Sequence, residues 1–260
     1  MKMIDAPEFL FPKEYRRFKE FCNACRRDRY IGLCHGQLGV GKTISARQYA
    51  QTDLVERFNF EQPAPELFTQ LADCRTILYT PTVTSTPRTL LRDLTFAQMD
   101  LRGMVMRINA PKAPDSACEL LIVDEADCLK LNSLEVLRDL YGLKGFALVL
   151  IGMPGLEKRL ARYPQLYSRV GFSHTFRPLS QEEMRFILQH HWQRLGRDLH
   201  PDQFTDHEAL SAICRMSNSN FRLIHRLMAQ IQRIMGINGL TVITAEVVEA
   251  ARQCLVIGSN

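Results

Sequence analysis

Gly36-Gln37-Leu38-Gly39-Val40-Gly41-Lys42-Thr43 is the stretch on which the fold turns. Two glycines bracket four residues and are followed by Lys and Thr, the pattern by which a chain wraps phosphate in its own main-chain amides. An apolar run from Tyr30 to His35 precedes it and reads as a strand, and a helix is expected from Thr43 to about Asp53. Glycine lets successive N–H groups turn inward with no Cβ in the way, and the helix adds its positive end. Gly36, Gln37, Leu38, Gly39, Val40, Gly41, Lys42, Thr43 and Ile44 are therefore the expected nucleotide-binding set. Lys42 is placed to reach the β and γ phosphates, and the Thr43 hydroxyl to ligate magnesium. A glycine-rich turn with a chance lysine is the alternative; the flanking strand and helix argue against it.

Toward the C-terminus, Leu120-Leu-Ile-Val-Asp124-Glu125 supplies the complementary half. A buried strand would deliver two acids at its carboxyl end, where open α/β sheets hold their ligands. Asp124 is expected to hold magnesium through its water shell, and Glu125 to orient and deprotonate the attacking water. Together the two segments predict an ATP hydrolase working with ATP and Mg2+. Asp124-Glu-Ala-Asp127 also spells the acids of a DEAD-type helicase. That motor needs a second P-loop-like domain, which the rest of the chain does not offer.

Between and after these motifs the pattern alternates strand and helix. Helices are expected over Lys13 to Arg29, Thr86 to about Met99, Leu131 to Tyr141 and Gly155 to Arg162, and strands over Arg75 to Thr80, Glu119 to Val123, Phe146 to Ile151 and Phe172 to Phe176. Asn59 to Asp73 reads as loop and short helix, and Ala110 to Ser116 as loop, punctuated by proline. Such alternation implies an α/β fold, a mostly parallel sheet covered by helices. After Pro178 only helices remain. Ser180-Gln-Glu-Glu183 is a capping box, and Met184, Ile187, Leu188, Trp192 and Leu195 mark one apolar stripe behind it. Helices over Asp206 to Met216, Asn220 to Met235 and from near Thr244 follow. The expected division is a nucleotide-binding α/β domain over 1–178, with its N-terminal helix, and an all-helical lid over 179–260.

Composition narrows the setting. The 260 residues suffice for one α/β domain of about 150–180 residues and a smaller partner. Hydrophobic residues at 46% and charged residues at 23% are those of a soluble globule, and no apolar run approaches the ~20 residues that cross a bilayer. Met1 to Pro12 lacks the marks of a secretory signal, so a cytoplasmic protein without a membrane partner is expected. A net charge of +5, from 33 Lys and Arg, permits contact with nucleic acid without requiring it. Of eight cysteines, Cys22 and Cys25 form a single C-x-x-C. A structural zinc takes four ligands and no second pair is suitably spaced, so reduced, packed thiols are expected. His190 and His191 read as structural or solvated.

Several arginines are candidates for work on phosphate. Arg169 follows a helix and precedes a strand, with Arg159 and Arg162 just upstream; it is the first candidate for an arginine finger supplied to a neighbouring subunit, a surface arginine being the alternative. Arg222 opens a helix and is placed to reach back over a triphosphate, while Arg226 and Arg233 suit a solvated basic face equally well. Thr84-Ser-Thr-Pro-Arg88-Thr89 starts a helix with hydroxyls and a cation, and Arg102, Arg107 and Lys112 lie farther along. Arg88, Thr89, Arg102 and Arg107 are the candidate contacts to a DNA backbone, against the alternative of an ordinary capped helix.

Tyr30-Ile-Gly-Leu-Cys-His-Gly-Gln-Leu-Gly-Val-Gly-Lys-Thr-Ile-Ser-Ala-Arg-Gln-Tyr-Ala50, Leu120 to Asp127, Leu150-Ile-Gly-Met-Pro-Gly-Leu156 and Ser219-Asn-Phe-Arg222 together resemble the TniB/TnsC/MuB-type AAA+ ATPases of DNA transposition. The similarity runs from about Phe11 to Cys254. It implies the AAA+ P-loop fold and an ATP-dependent homo-oligomer, often a helical filament, on double-stranded target DNA. It further implies choice of a target site, recruitment of a transposase and possible target-selection adaptor, and disassembly on ATP hydrolysis. In this family phosphate-gripping contacts lie on the segment matching Thr86 to Arg107. One departure stands out. Many AAA+ ATPases place a polar sensor for the γ-phosphate where this chain has Met153, which cannot hydrogen-bond a phosphate. A backbone group, or Thr80 at the end of the neighbouring strand, is then expected to stand in. A helicase-loader or initiator-type AAA+ ATPase is the alternative function.

Overall fold

The computed structural model describes residues 13–109 and 117–255; the expected loop over 110–116 and the reading of the first twelve residues lie outside them. The chain opens with helix α1 (Lys13–Asp28) and strand β1 (Ile31–His35). Then come α2 (Lys42–Tyr49), α3 (Thr52–Glu56), α4 (Pro65–Leu71), β2 (Thr76–Tyr79) and α5 (Pro87–Asn109). Strand β3 (Leu120–Val123), a 3-10 turn (Ala126–Cys128), α6 (Leu131–Lys144), β4 (Ala147–Gly152), α7 (Leu156–Leu160), α8 (Pro164–Tyr167) and β5 (Val170–Thr175) complete the alternating half. Helices α9 (Gln181–Arg194), α10 (Phe204–Ser217), α11 (Phe221–Asn238) and α12 (Ala245–Gln253) follow. Among the described residues no helix is long and apolar enough to cross a membrane.

The five strands form one sheet in the order β2-β3-β4-β1-β5, with every neighbouring pair parallel. Burial follows position. The central strands β3 and β4 are buried at every residue, as expected where both faces are covered, whereas edge strand β5 exposes every second residue. Leu121, Val123, Leu148 and Leu150 join a core with Leu90 and Leu94 of α5, Leu134 and Leu137 of α6 and Leu160 of α7. On β1, a Cβ at Gly32 would lie 2.5 Å from Cys25 Sγ and 2.7 Å from the Phe21 ring, so glycine there sets how closely α1 packs. Cys22 and Cys25 are fully buried in that seam, and burial pushes the Cys25 thiol up to about 12. Such thiols are inert packing groups.

The chain divides into two compact units: Tyr15–Gln37 with Lys42–Phe176, and a second containing Leu38–Gly41 and the chain from Arg177 onward. The second is held by Met184, Ile187, Leu188 and Trp192 of α9 against Ile224, Leu227 and Ile231 of α11 and Val248 of α12. Its helices begin as the sequence indicates. Ser180 and Glu183 form the capping box, and Asn220 and Thr244 cap α11 and α12.

Most element ends fall within three residues of expectation, and three differences are larger. The helix after the phosphate loop stops at Tyr49 rather than about Asp53, because Gln51 takes a left-handed conformation (φ 52°) and the chain restarts as α3. Helix α5 runs ten residues past Met99, since Leu101, Met104 and Val105 continue the buried stripe of Leu90 and Leu94. A further turn of helix, α8, starts on Pro164, where proline suits the first turn.

Candidate nucleotide-binding site

The register fixes where the two chemical segments emerge. His35, the last residue of β1, pairs with Gly152 of β4, and Val123 of β3 pairs with Leu150 of the same strand. The phosphate loop and the acid pair therefore leave the same carboxyl edge, two strand spacings or about 10 Å apart, with β4 between them. At the loop's first residue the main chain is crowded. A Cβ on Gly36 would lie 2.5 Å from Phe176 O, and Gly36 N donates to Gly152 O at 3.3 Å. Gly39 (φ 79°) and Gly41 (φ 109°) take conformations that a side chain would strain. The Lys42 ammonium donates to Gly36 O at 2.5 Å and Gln37 O at 2.7 Å. Thr43, the second residue of α2, is exposed.

At the end of β3, Asp124 is 2% exposed. Its Oδ1 accepts the Glu125 N–H at 2.9 Å, while Oδ2 is buried with no hydrogen-bond partner among the described residues. A buried carboxylate oxygen without a partner is costly in isolation, and a hydrated divalent cation is the kind of group that relieves it. Asp124 thus fits magnesium, which would supply charge to polarise the triphosphate. Glu125 adopts φ 52° and ψ 40°, a left-handed conformation costing a non-glycine residue about 1–3 kcal/mol, and its side chain is exposed. Strain of that size at a polar residue beside a buried acid is typical of a functional site.

A family model described as an AAA domain matches residues 25–160. The chain belongs to the AAA family. A Staphylococcus aureus protein described as a potential ATP-binding protein is 46% identical over 270 residues, covering 98% of this chain and 99% of its own. Among solved structures, the chain is similar to the Thermotoga maritima RuvB Holliday junction branch migration motor, with a TM-score of 0.61 at 16% identity over 95% of this chain and 70% of that one. It is also similar to the Aeropyrum pernix ORC1 protein in complex with DNA, with a TM-score of 0.61 at 19% identity over 95% of this chain and 66% of that one. At these identities the structural likenesses establish the AAA+ fold alone. As an AAA protein the chain is an ATP hydrolase that uses ATP with Mg2+.

In this AAA protein the sensor position is organised differently from expectation. Met153 N donates to Asp127 Oδ1 at 2.7 Å, so that backbone group is already engaged by a carboxylate. Thr80 follows β2, which pairs with β3 rather than β4; Tyr79 O accepts Asp124 N at 2.9 Å, so Thr80 stands beside the acid turn and not at the sensor strand. Arg159 of α7 donates to the main-chain oxygens of Asp127 and Leu129. That guanidinium is committed locally. Asp127 and Arg159 are the residues whose roles a linear reading missed; the only signal was an acid three residues beyond Asp124.

Arg169 lies at the opposite edge. Its carbonyl accepts Ile31 N at 3.3 Å, at the amino ends of β1 and β5, and its guanidinium sits 5.8 Å from the centre of the Tyr141 ring. The length of a six-residue strand, about 20 Å, separates it from the carboxyl edge of its own sheet. Arg222 is exposed, and its main-chain N–H donates to Gly39 O at 3.1 Å; beside it the Asn220 side chain donates to Leu38 O at 3.0 Å. The four candidate DNA contacts do not share one face of α5. At ~100° per residue, Arg88 and Arg102 point within ~40° of one another, with Arg92 nearby, whereas Thr89 and Arg107 fall ~100° or more from Arg88. Thr89 is also occupied, exchanging hydrogen bonds with Thr86 across the helix start.

Proposed function

We propose that this AAA protein is an ATP-dependent DNA-binding regulator of transposition, which oligomerises on double-stranded target DNA, recruits a transposase and disassembles on hydrolysis. In this reading residues 1–178 form the nucleotide-binding domain and 179–260 a helical lid. Gly36 to Ile44 bind ATP, Thr43 and Asp124 carry magnesium, and Glu125 activates water. Arg222 senses the triphosphate.

The observation that carries the reading is the position of Arg169. An arginine at the amino edge is too far from its own acid pair to act there; in this reading it serves as a finger that completes the site of a neighbouring subunit, and self-assembly is part of the proposal. Support for DNA comes from the exposed face of α5, where Arg88, Arg92 and Arg102 extend over about 21 Å, comparable to the axial rise of about six base pairs of duplex. Two proteins of the same fold are described as a Holliday junction motor and as a DNA complex. The transposition branch rests on the resemblance of the loop flanks and of Gly152 to Leu156.

The test is binding to duplex DNA with a non-hydrolysable ATP analogue across a salt series. The expected result is nucleotide-dependent binding that weakens steeply with salt, because released counterions supply the affinity. Absence of DNA binding at low salt would overturn the reading. The initiator or helicase-loader alternative predicts a different partner, capture of a replicative helicase rather than a transposase.

A further inference from the structure

Asp127 has no assigned part in ATP hydrolysis, yet its carboxylate joins the acid turn to the exit of β4. Its Oδ1 accepts Met153 N at 2.7 Å, across the gap between the acid turn and the exit of β4. The carboxylate can approach only because residue 152 is glycine: a Cβ there would lie 1.9 Å from Asp127 Oδ1 and 3.0 Å from Leu156 Cδ2. On the other side of that glycine, Gly152 O accepts Gly36 N, the first amide of the phosphate loop. Asp127 itself is held to Glu125 by the 3-10 turn, in which Cys128 N donates to Glu125 O at 2.9 Å, and Arg159 fixes the far side of that turn by binding the carbonyls of Asp127 and Leu129. A continuous path therefore runs from Glu125 through Asp127 to Met153, Gly152 and Gly36.

We infer that Asp127 is a positioning residue for hydrolysis: its carboxylate latches the acid turn to the end of β4 and so sets where the Glu125 carboxylate stands relative to the phosphate loop. The inference rests on the reading of Glu125 as the base. Glu125 needs such a brace. It is exposed, it follows a buried acid, and its left-handed backbone is stable only while the surroundings hold it there. Loss of the latch frees the turn to relax, and a displacement of about 1 Å at a reacting group costs on the order of a hundredfold in rate. Binding is spared, because the amides and the lysine that grip the triphosphate are built on α2 and its loop.

The experiment is steady-state ATP hydrolysis and nucleotide affinity for the full chain carrying Asp127→Ala, Asp127→Asn, Gly152→Ala, or Asp127→Ala with Gly152→Ala. Asp127→Ala and Gly152→Ala are each expected to lower kcat by about 10- to 100-fold with KM within threefold. Asp127→Asn, whose amide oxygen still accepts from Met153 N, should exceed Asp127→Ala at least tenfold in kcat. The double variant should fall no lower than Asp127→Ala, since removing the carboxylate makes room for the methyl group. Equal losses in Asp127→Asn and Asp127→Ala, a parallel rise in KM, or losses that multiply in the double variant would overturn the latch. Hydrogen exchange at the Met153 amide separates this from failure of the hydrolysis reading. Exchange should quicken in Asp127→Ala and stay slow in Asp127→Asn whether or not Glu125 is the base. Unchanged protection in Asp127→Ala refutes the latch by itself, while full turnover by Glu125→Gln refutes only the base. Should Asp127→Ala fail to fold, Gly152→Ala and Asp127→Asn carry the same kcat and exchange comparisons.

Discussion

At the carboxyl edge of the sheet a carboxylate oxygen is buried without a partner among the described residues and a glutamate is held in a left-handed backbone, whereas at the amino edge comparable groups are satisfied. There Glu119 binds Arg26 through its carboxylate and Arg29 through its carbonyl, Tyr141 donates to Arg29 O at 2.6 Å, and Arg169 rests over the Tyr141 ring. Arg29 also has a positive φ, but as the residue after α1, where a left-handed stop is ordinary. Glycine crowding does not separate the edges: Gly36 and Gly152 face atoms too close for any Cβ, as do Gly32 and Gly171 near the amino ends of β1 and β5, whereas Gly145 has open space around it. One edge holds a strained acid turn and unmet polarity; the polar groups of the other are relaxed. The same sheet thus supports a site prepared for charge and a surface free to meet something else.

Five substitutions sharpen or break that contrast. The largest effect is expected at the relaxed edge. Arg169→Ala should lower turnover by about 10³-fold or more where the protein assembles, with ATP affinity unchanged. Mixing it with Glu125→Gln should restore part of the rate, because each subunit supplies what the other lacks; two inactive proteins that stay inactive together would show that edge to be structural only. Glu125→Gln should itself cut phosphate release by about 10²–10³-fold while ATP remains bound, and a rate within tenfold of the parent would move the base elsewhere. Next, Gly36→Ala should cost about 1–3 kcal/mol in urea unfolding from its clash with Phe176 O. Gly145→Ala pays only the left-handed conformation, about 1–2 kcal/mol at most. Equal costs would deny the crowding difference. The smallest effect carries the opposite sign. Glu125→Gly should raise stability by up to about 1 kcal/mol as strain is released, even though hydrolysis is lost. A destabilised Glu125→Gly would mean that the Glu125 side chain, rather than the turn, holds the backbone in place.

How much of this was legible depends on the range of the interaction. Leu120 to Val123 read as a strand because a covered central strand needs apolar side chains on both faces. The Ser180–Glu183 box and the α9 stripe read as a helix because their partners lie within four residues. The end of α2 did not, since Gln51 breaks the helix with no glycine or proline to mark it. The length of α5 was cut short because the loop pattern ahead drew the boundary back, while the buried positions Leu101, Met104 and Val105 were already in the sequence.

By itself, the sequence determined that a strand leads into an amide-lined loop with Lys42 and Thr43, and that a second strand ends in Asp124 and Glu125, because those are contiguous runs whose spacing is the chemistry. Only the tertiary structure decided that β4 lies between the two strands, that Asp127 spends its carboxylate on Met153, and that Arg169 stands at the far edge from its own acids. Strand order and side-chain partners are set by packing between segments far apart in the chain, and nothing in a linear pattern fixes which of several compatible neighbours a strand or a carboxylate takes.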